Sequence, residues 1–72
     1  MPLNLAEFHR IYTIAKICGL DKQKHYLETL GFTAGATIEV LSELHGYFIV
    51  LIKESKIGLE KRLAQNVILI AE

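Results

Sequence analysis

The sequence predicts a mainly β domain with one short helix, its five short strands wrapped into a small barrel. Three observations carry that reading. Runs rich in β-branched and aromatic residues recur at strand length, and glycines punctuate them. One amphipathic stretch of nine residues, "KQKHYLETL", has helical spacing, yet it is shorter than the ~12–15 residues at which isolated helices become even marginal in water, so it must dock on a sheet. With 72 residues the chain is expected to form one domain, residues 1–72, burying about 60% of the surface its unfolded form exposes. Two separate sheet faces cannot be buried on that scale, and closing one sheet on itself limits free edges.

The elements follow in the order β, α, β, β, β, short helical turn, β. Residues 10–17, "RIYTIAKI", form the first strand, and Gly19 closes it. Ile11, Ile14 and Ile17 also fall at helical spacing, so residue type and the glycine decide for strand. Asp21 is expected to cap the helix by accepting a free first-turn amide, with Tyr26, Leu27 and Leu30 on the docked stripe. Gly31 stands where a left-handed residue ends a helix, a conformation strained for any residue with a Cβ. Gly35 turns the chain into "TIEVL", where Ile38 and Val40 face inward and Thr37 and Glu39 outward. A hairpin around His45 and Gly46 leads to "YFIVLIK", apolar on both faces, and "KIGL" is the fourth strand. "EKRLAQN" is one helical turn, with Asn66 expected in a left-handed exit conformation, and "VILI" closes the sheet. Pro2 lies outside every expected element.

Composition narrows the function classes. Eight basic residues balance eight acidic ones, so the field that holds a phosphate backbone is missing and nucleic acid is not an expected partner. Cys18 is the single cysteine and cannot form an internal bridge, which points to a reducing, cytoplasmic setting. The longest apolar run, six residues, is far below the ~20 of a spanning helix, so no direct membrane insertion is expected. The hydrophobic fraction, 51%, slightly exceeds the usual ~45–50% of soluble domains, which leaves apolar surface for a partner or for self-association.

In order and spacing, "IAKICGLD", "YLETLGFTAGATIEVL", "HGYFIVLIKESKIGLE" and "LAQNVILI" resemble the FeoA family, small cytosolic accessory proteins of bacterial ferrous-iron transport. The carrying positions are Ile14, Ile17, Gly19, Leu27, Leu30, Gly31, Phe32, Gly35, Ile57, Leu59, Ala64 and Val67. The resemblance implies an SH3-like barrel. It also implies a non-enzymatic module that docks on the cytosolic part of a FeoB-type transporter and is membrane-associated only through that partner. The same barrel resembles the C-terminal domain of iron-dependent repressors, which makes a metal-responsive regulatory domain the alternative. The chain departs from the family pattern at Ala34 and Tyr47, where proline is frequent, at Tyr26, a commonly basic position, and at Gly58, usually alanine. In the family register Leu51, Leu63 and Ile68 stand where polar residues are usual.

No nucleophile, base and orienting group assemble from the sequence, so no catalytic residues are assigned. Cys18 reads as an inert thiol because no basic residue adjoins it. His9, His25 and His45 fall in different elements without ligand-pair spacing, so no cofactor is assigned, and weak transition-metal affinity stays open. The basic residues Lys22, Lys24, Lys53, Lys56, Lys61 and Arg62 are interspersed with acids and read as solvated surface, with a strip at 53–62 able to meet an acidic face. On the third strand the family register turns Phe48, Val50 and Ile52 inward, leaving Tyr47, Ile49 and Leu51 outside. That outer row is either covered by the helix and loops or forms a partner-binding face with Leu63 and Ile68.

Overall fold

The structure, a computed structural model, describes residues 1–71. A 3₁₀ turn at Leu3–Leu5 precedes β1 (Ile11–Ile17), α1 (Asp21–Thr29), β2 (Thr37–Leu44), β3 (Tyr47–Ile52), β4 (Ser55–Glu60), α2 (Lys61–Ala64) and β5 (Val67–Ala71). All five strands are antiparallel in one sheet of order β4-β3-β2-β1-β5. Register shifts between Ile14 and Lys16 on β1 and between Val40 and Ser42 on β2 each insert one extra residue. Such bulges bend a strand and raise its twist, and here they sit on two adjacent interior strands, the central β2 and its neighbour β1. The end strands β4 and β5 are joined through the four residues of α2.

Alternation sets the core. Ile38 and Val40 of β2, Phe48, Val50 and Ile52 of β3, Leu59 of β4, and Val67 and Leu69 of β5 all point inward and are buried, as are Leu27 of the helix and Phe32 behind it. Each such side chain contributes about 1.5–3 kcal/mol on burial. In β1 the same alternation buries Tyr12 and Ile14 and leaves Ile11 on the surface. The Tyr12 hydroxyl accepts the Glu7 N–H at 3.0 Å, which satisfies a phenol otherwise costly to bury.

The helix exit is a Schellman arrangement: Phe32 N–H donates to Leu27 C=O at 3.0 Å and Gly31 N–H to Glu28 C=O at 3.0 Å, with Gly31 at φ 101°. Phe32 and Leu27, both buried, supply its apolar contact. Gly35 (φ 89°) occupies a turn closed by Ala36 N–H to Thr33 C=O, and His45 (φ 50°) with Gly46 (φ 82°) forms the two-residue β2–β3 turn.

Several expectations are corrected. Asp21 is the first helical residue and not the cap; Leu20 holds that position, and its N–H is taken by the Gln23 side chain at 3.1 Å. A carboxylate in the first turn still faces the positive end of the helix. Asn66 is not left-handed. Its side chain instead donates to Gln23 Oε1 at 3.2 Å, and its carbonyl accepts the Cys18 N–H at 2.7 Å, tying the exit of β1 to the entry of β5. Tyr26 leaves the docked stripe and is exposed. Pro2 is part of the fold: it bridges Ile68, while Met1 and Leu69 exchange backbone hydrogen bonds, so the first residues run along β5 and bury Leu3.

Candidate partner-docking surface

On the outer face of β3, Tyr47 lies between Leu44 of β2 and Glu60 of β4, Ile49 between Ser42 and Gly58, and Leu51 between Glu39 and Lys56. Tyr47 is 50% exposed, while Ile49 and Leu51 are half-buried. The helix does not cover this row. Tyr26, 51% exposed, stands instead on one wall of a groove of about 330 Å³ whose other lining residues include Tyr47, Gly58, Glu60 and Leu63. Two half-exposed tyrosines therefore flank the groove, and the missing side chain at Gly58 keeps its floor low. Tyrosines in such a place offer large contact area at small entropic cost, with hydroxyls free for hydrogen bonds.

Of the five residues expected to form a partner face, the structure brings Tyr47 and Leu63 together in this groove, while Ile49 pairs with Gly58 across the strands without lining it. An ideal Cβ on Gly58 would stand 3.6 Å from Ile49 Cδ1. Leu51 lines a separate hollow of about 280 Å³ with Ile11, Glu39 and the Lys53-Glu54 turn. Ile68 is on β5, opposite Lys16 and bridged to Pro2, and belongs to neither hollow. Sequence reasoning missed Tyr26 as a groove residue. Its departure from a commonly basic helix position was the available signal.

The charges around the groove are solvated. Arg62 pairs with Glu60 at 3.2 Å and Arg10 with Glu7 at 2.8 Å, the latter hydrogen bond raising the Arg10 pKa above its ordinary value. His9 Nδ1 lies 3.6 Å from Glu39 Oε2. His9, His25 and His45 are all exposed and Cys18 is a half-buried free thiol. Among the described residues no three His, Cys, Asp or Glu side chains cluster as metal ligands. Among the described residues no helix is long and apolar enough to cross a membrane.

A FeoA-domain family model matches residues 1–70. The chain belongs to the FeoA family. Among solved structures, an iron uptake regulatory protein of this family is 27% identical, with TM-score 0.89 and coverage of 97% of this chain and 93% of that one. The zinc complex of Stenotrophomonas maltophilia FeoA, described as an SH3-domain protein and candidate ferrous-iron-transport activating factor, is 18% identical with TM-score 0.86, covering 97% and 89%. At that identity the likeness shows the SH3-like fold. ScaR with bound Cd²⁺ matches at 22% identity and TM-score 0.89; all of this chain aligns with 35% of that one. No curated protein sequence matches the chain. Tyr26, Tyr47 and Gly58, the positions at which the resemblance implies a departure, all line the same groove.

Proposed function

We propose that this FeoA-family chain is a non-enzymatic accessory module that supports ferrous-iron uptake by docking on the cytosolic part of a FeoB-type membrane transporter. The observation that carries the site is the groove between Tyr26 and Tyr47, floored at Gly58 and ended by Leu63. Family membership across residues 1–70 supports the process. The groove offers two aromatic anchors with the Glu60–Arg62 pair beside them, and exposed tyrosines next to polar groups suit a protein contact. Truncating an anchor of this kind costs 2 kcal/mol or more of binding, about 30-fold. Tyr47→Ala and Tyr26→Ala are therefore expected to weaken capture of the transporter's cytosolic domain by that order while the thermal melt stays within a few degrees of the parent. Unchanged capture by both variants would remove the groove from the docking reading, and unchanged ferrous-iron uptake in a deletion strain under anaerobic, iron-limited growth would remove the transport role.

A metal-responsive regulatory domain is the second reading, supported by the fold shared with ScaR bound to Cd²⁺ and with a manganese-dependent transcriptional repressor. It requires Fe²⁺ to bind this barrel directly. Anaerobic isothermal titration with Fe²⁺ separates the two, since a docking module needs no intrinsic metal affinity and a sensor does.

A further inference from the structure

β4 and β5 are the two ends of the sheet, and their outer edges differ. The β5 edge is covered by the protein's own first residues, since Met1 and Leu69 exchange backbone hydrogen bonds and Pro2 bridges Ile68. Among the described residues no segment pairs with the outer edge of β4. Which of its backbone groups stay free follows from the turn that starts it. Lys53 and Glu54, both at positive φ, make a two-residue turn of the I′ kind, so Ile52 and Ser55 form its closing hydrogen-bonded pair. From there hydrogen-bonded and non-hydrogen-bonded pairs alternate along an antiparallel ladder. The register runs on without a shift, which makes Leu51–Lys56 and Ile49–Gly58 non-hydrogen-bonded pairs. The N–H and C=O groups of Lys56 and Gly58 therefore point away from β3, and no loop, cap or side-chain hydrogen bond among the described residues reaches them. Gly58 lines the Tyr26–Tyr47 groove. Having no side chain, it presents backbone there.

We infer that the free edge of β4 takes an extended segment of the partner protein as an added antiparallel strand, an inference that rests on the docking reading above and names the form of what docks. Free N–H and C=O groups on residues two apart match the period of an extended chain, whose alternate residues direct their main-chain groups the same way. A helix keeps its own N–H and C=O groups bonded and cannot satisfy them. Antiparallel pairing is the more stable of the two ladders. In that arrangement the partner residue facing Gly58 exchanges both hydrogen bonds with it, and its side chain lies on the face of the glycine's missing one, in the groove with Tyr26 and Tyr47. An aromatic or large aliphatic side chain suits that place, because it supplies the cross-strand contact a glycine lacks. Two residues further along the partner the side chain faces Lys56, which is exposed, and an acid there forms an opposite-charge pair. The segment recognised is thus an apolar residue, any residue, then an acid, held extended. A second copy adding its own β4 centred on Gly58 would set glycine against glycine and leave the groove unfilled.

The test reads the backbone directly, through amide hydrogen exchange measured by NMR on the whole chain, free at two concentrations and bound to the transporter's cytosolic domain. In the free chain the Lys56 and Gly58 amides should exchange as exposed groups at both concentrations, while those of Ile57 and Leu59, bonded to β3, are protected. In the complex, exchange at Lys56 and Gly58 should slow by about tenfold or more. Lys56→Pro removes one outward donor at a position that does not line the groove, and an edge proline spares the ladder on its other side. It should cut transporter capture by about tenfold or more, whereas Lys56→Gln keeps the amide, gives up only the charge pair and should lose less than about fivefold. Undiminished capture by a folded Lys56→Pro, or a complex in which both amides exchange as in the free chain, overturns strand addition and leaves the docking reading standing. Protection already present in the free chain overturns it as well: if it grows with concentration a second copy covers the edge, and if it does not the chain covers its own. Should Lys56→Pro unfold, the exchange measurement on the parent decides alone. A parent that captures no transporter domain removes the docking reading, and this inference with it.

Discussion

Replacing Gly19 with alanine tests how the two ends of the sheet are tied together. Gly19 has φ 102°, and a Cβ there would stand 2.7 Å from Asn66 Nδ2 and 2.7 Å from Gln23 Oε1. Those two groups hydrogen-bond each other, and the same Gln23 oxygen accepts the Leu20 N–H that opens α1. Three costs follow. Holding a residue with a Cβ at positive φ costs about 1–2 kcal/mol. Displacing the Asn66–Gln23 hydrogen bond costs about 1 kcal/mol, and loosening the helix entry costs about 0.5–1 kcal/mol. Together they come to about 2.5–4 kcal/mol, which for a domain of 60–100 residues corresponds to roughly 10–30 °C in Tm at about 4–8 °C per kcal/mol.

Gly35→Ala is the control. Gly35 shares the positive φ, at 89°, but a Cβ there meets nothing within 4 Å, so only the backbone cost of about 1–2 kcal/mol applies. Urea melts of the two variants, followed by circular dichroism, give the difference directly. Gly19→Ala is expected to be less stable than Gly35→Ala by about 1.5–2 kcal/mol with the same m-value. Equal stabilities would show that the Asn66–Gln23 tie contributes nothing and that conformation alone explains both glycines.

Three further outcomes are expected. Glu54→Gly should stabilise the fold by about 0.5–1 kcal/mol in a thermal melt, because Lys53 (φ 49°) and Glu54 (φ 66°) form the β3–β4 turn in a conformation that costs residues with a Cβ about 1–2 kcal/mol, partly offset by glycine's greater unfolded-state entropy; no gain would show the turn is relaxed. Tyr12→Phe should lose about 0.5–1.5 kcal/mol by leaving the Glu7 N–H without its acceptor, and amide exchange at Glu7 should speed up. Leu51→Glu, set between Glu39 and Lys56, should keep the melt within about 1 kcal/mol of the parent since one like-charge and one opposite-charge neighbour offset each other; unfolding would place Leu51 in the core.

Where local pattern and burial agree, the fold is legible in the chain. The alternation of Ile38 and Val40 against Thr37 and Glu39 marks one face of β2, and Gly31 marks the helix exit, because both depend on neighbours a few residues away. β3 is apolar on both sides, so its orientation comes from the family register, and Phe48, Val50 and Ile52 do face inward. Leu3 and Pro2 could not be read: their place is set by β5, whose Leu69 exchanges hydrogen bonds with Met1 from 68 residues away, and no local signal records that pairing. Asn66 illustrates a different limit. Its propensity for a left-handed exit was outweighed by two hydrogen bonds across the sheet ends, one from its side chain and one to its carbonyl. The candidate site was half legible for a similar reason. Tyr47 and Leu63 were visible as unspent apolar residues, while Tyr26 reaches them only through the docking of α1, and Ile68 is drawn off to the N-terminal bridge.

Gly58 links stability to the docking groove, and substituting it asks which of the two the residue serves. It lies mid-strand in β4, opposite Ile49, and its φ is not in the positive range, so nothing in the backbone requires glycine there. Glycine inside a strand costs roughly 0.5–1 kcal/mol relative to alanine. An added Cβ would meet Ile49 Cδ1 at 3.6 Å, an ordinary contact, so Gly58→Ala should raise stability by about that amount. The same methyl group would rise from the groove floor between Tyr47 and Leu63. Gly58→Leu should fill the floor further and compete with whatever side chain enters, costing at least tenfold in transporter capture with little change in the melt. If capture survives Gly58→Leu in a folded protein, the groove is not the docking site, and the low floor is only a gap in packing. If Gly58→Ala lowers the melting temperature instead, Ile49 cannot yield and the glycine is there for the sheet. Stability gained with binding lost is the outcome the groove geometry calls for, because the added side chain removes glycine's cost within the strand and occupies the floor that an entering side chain would use.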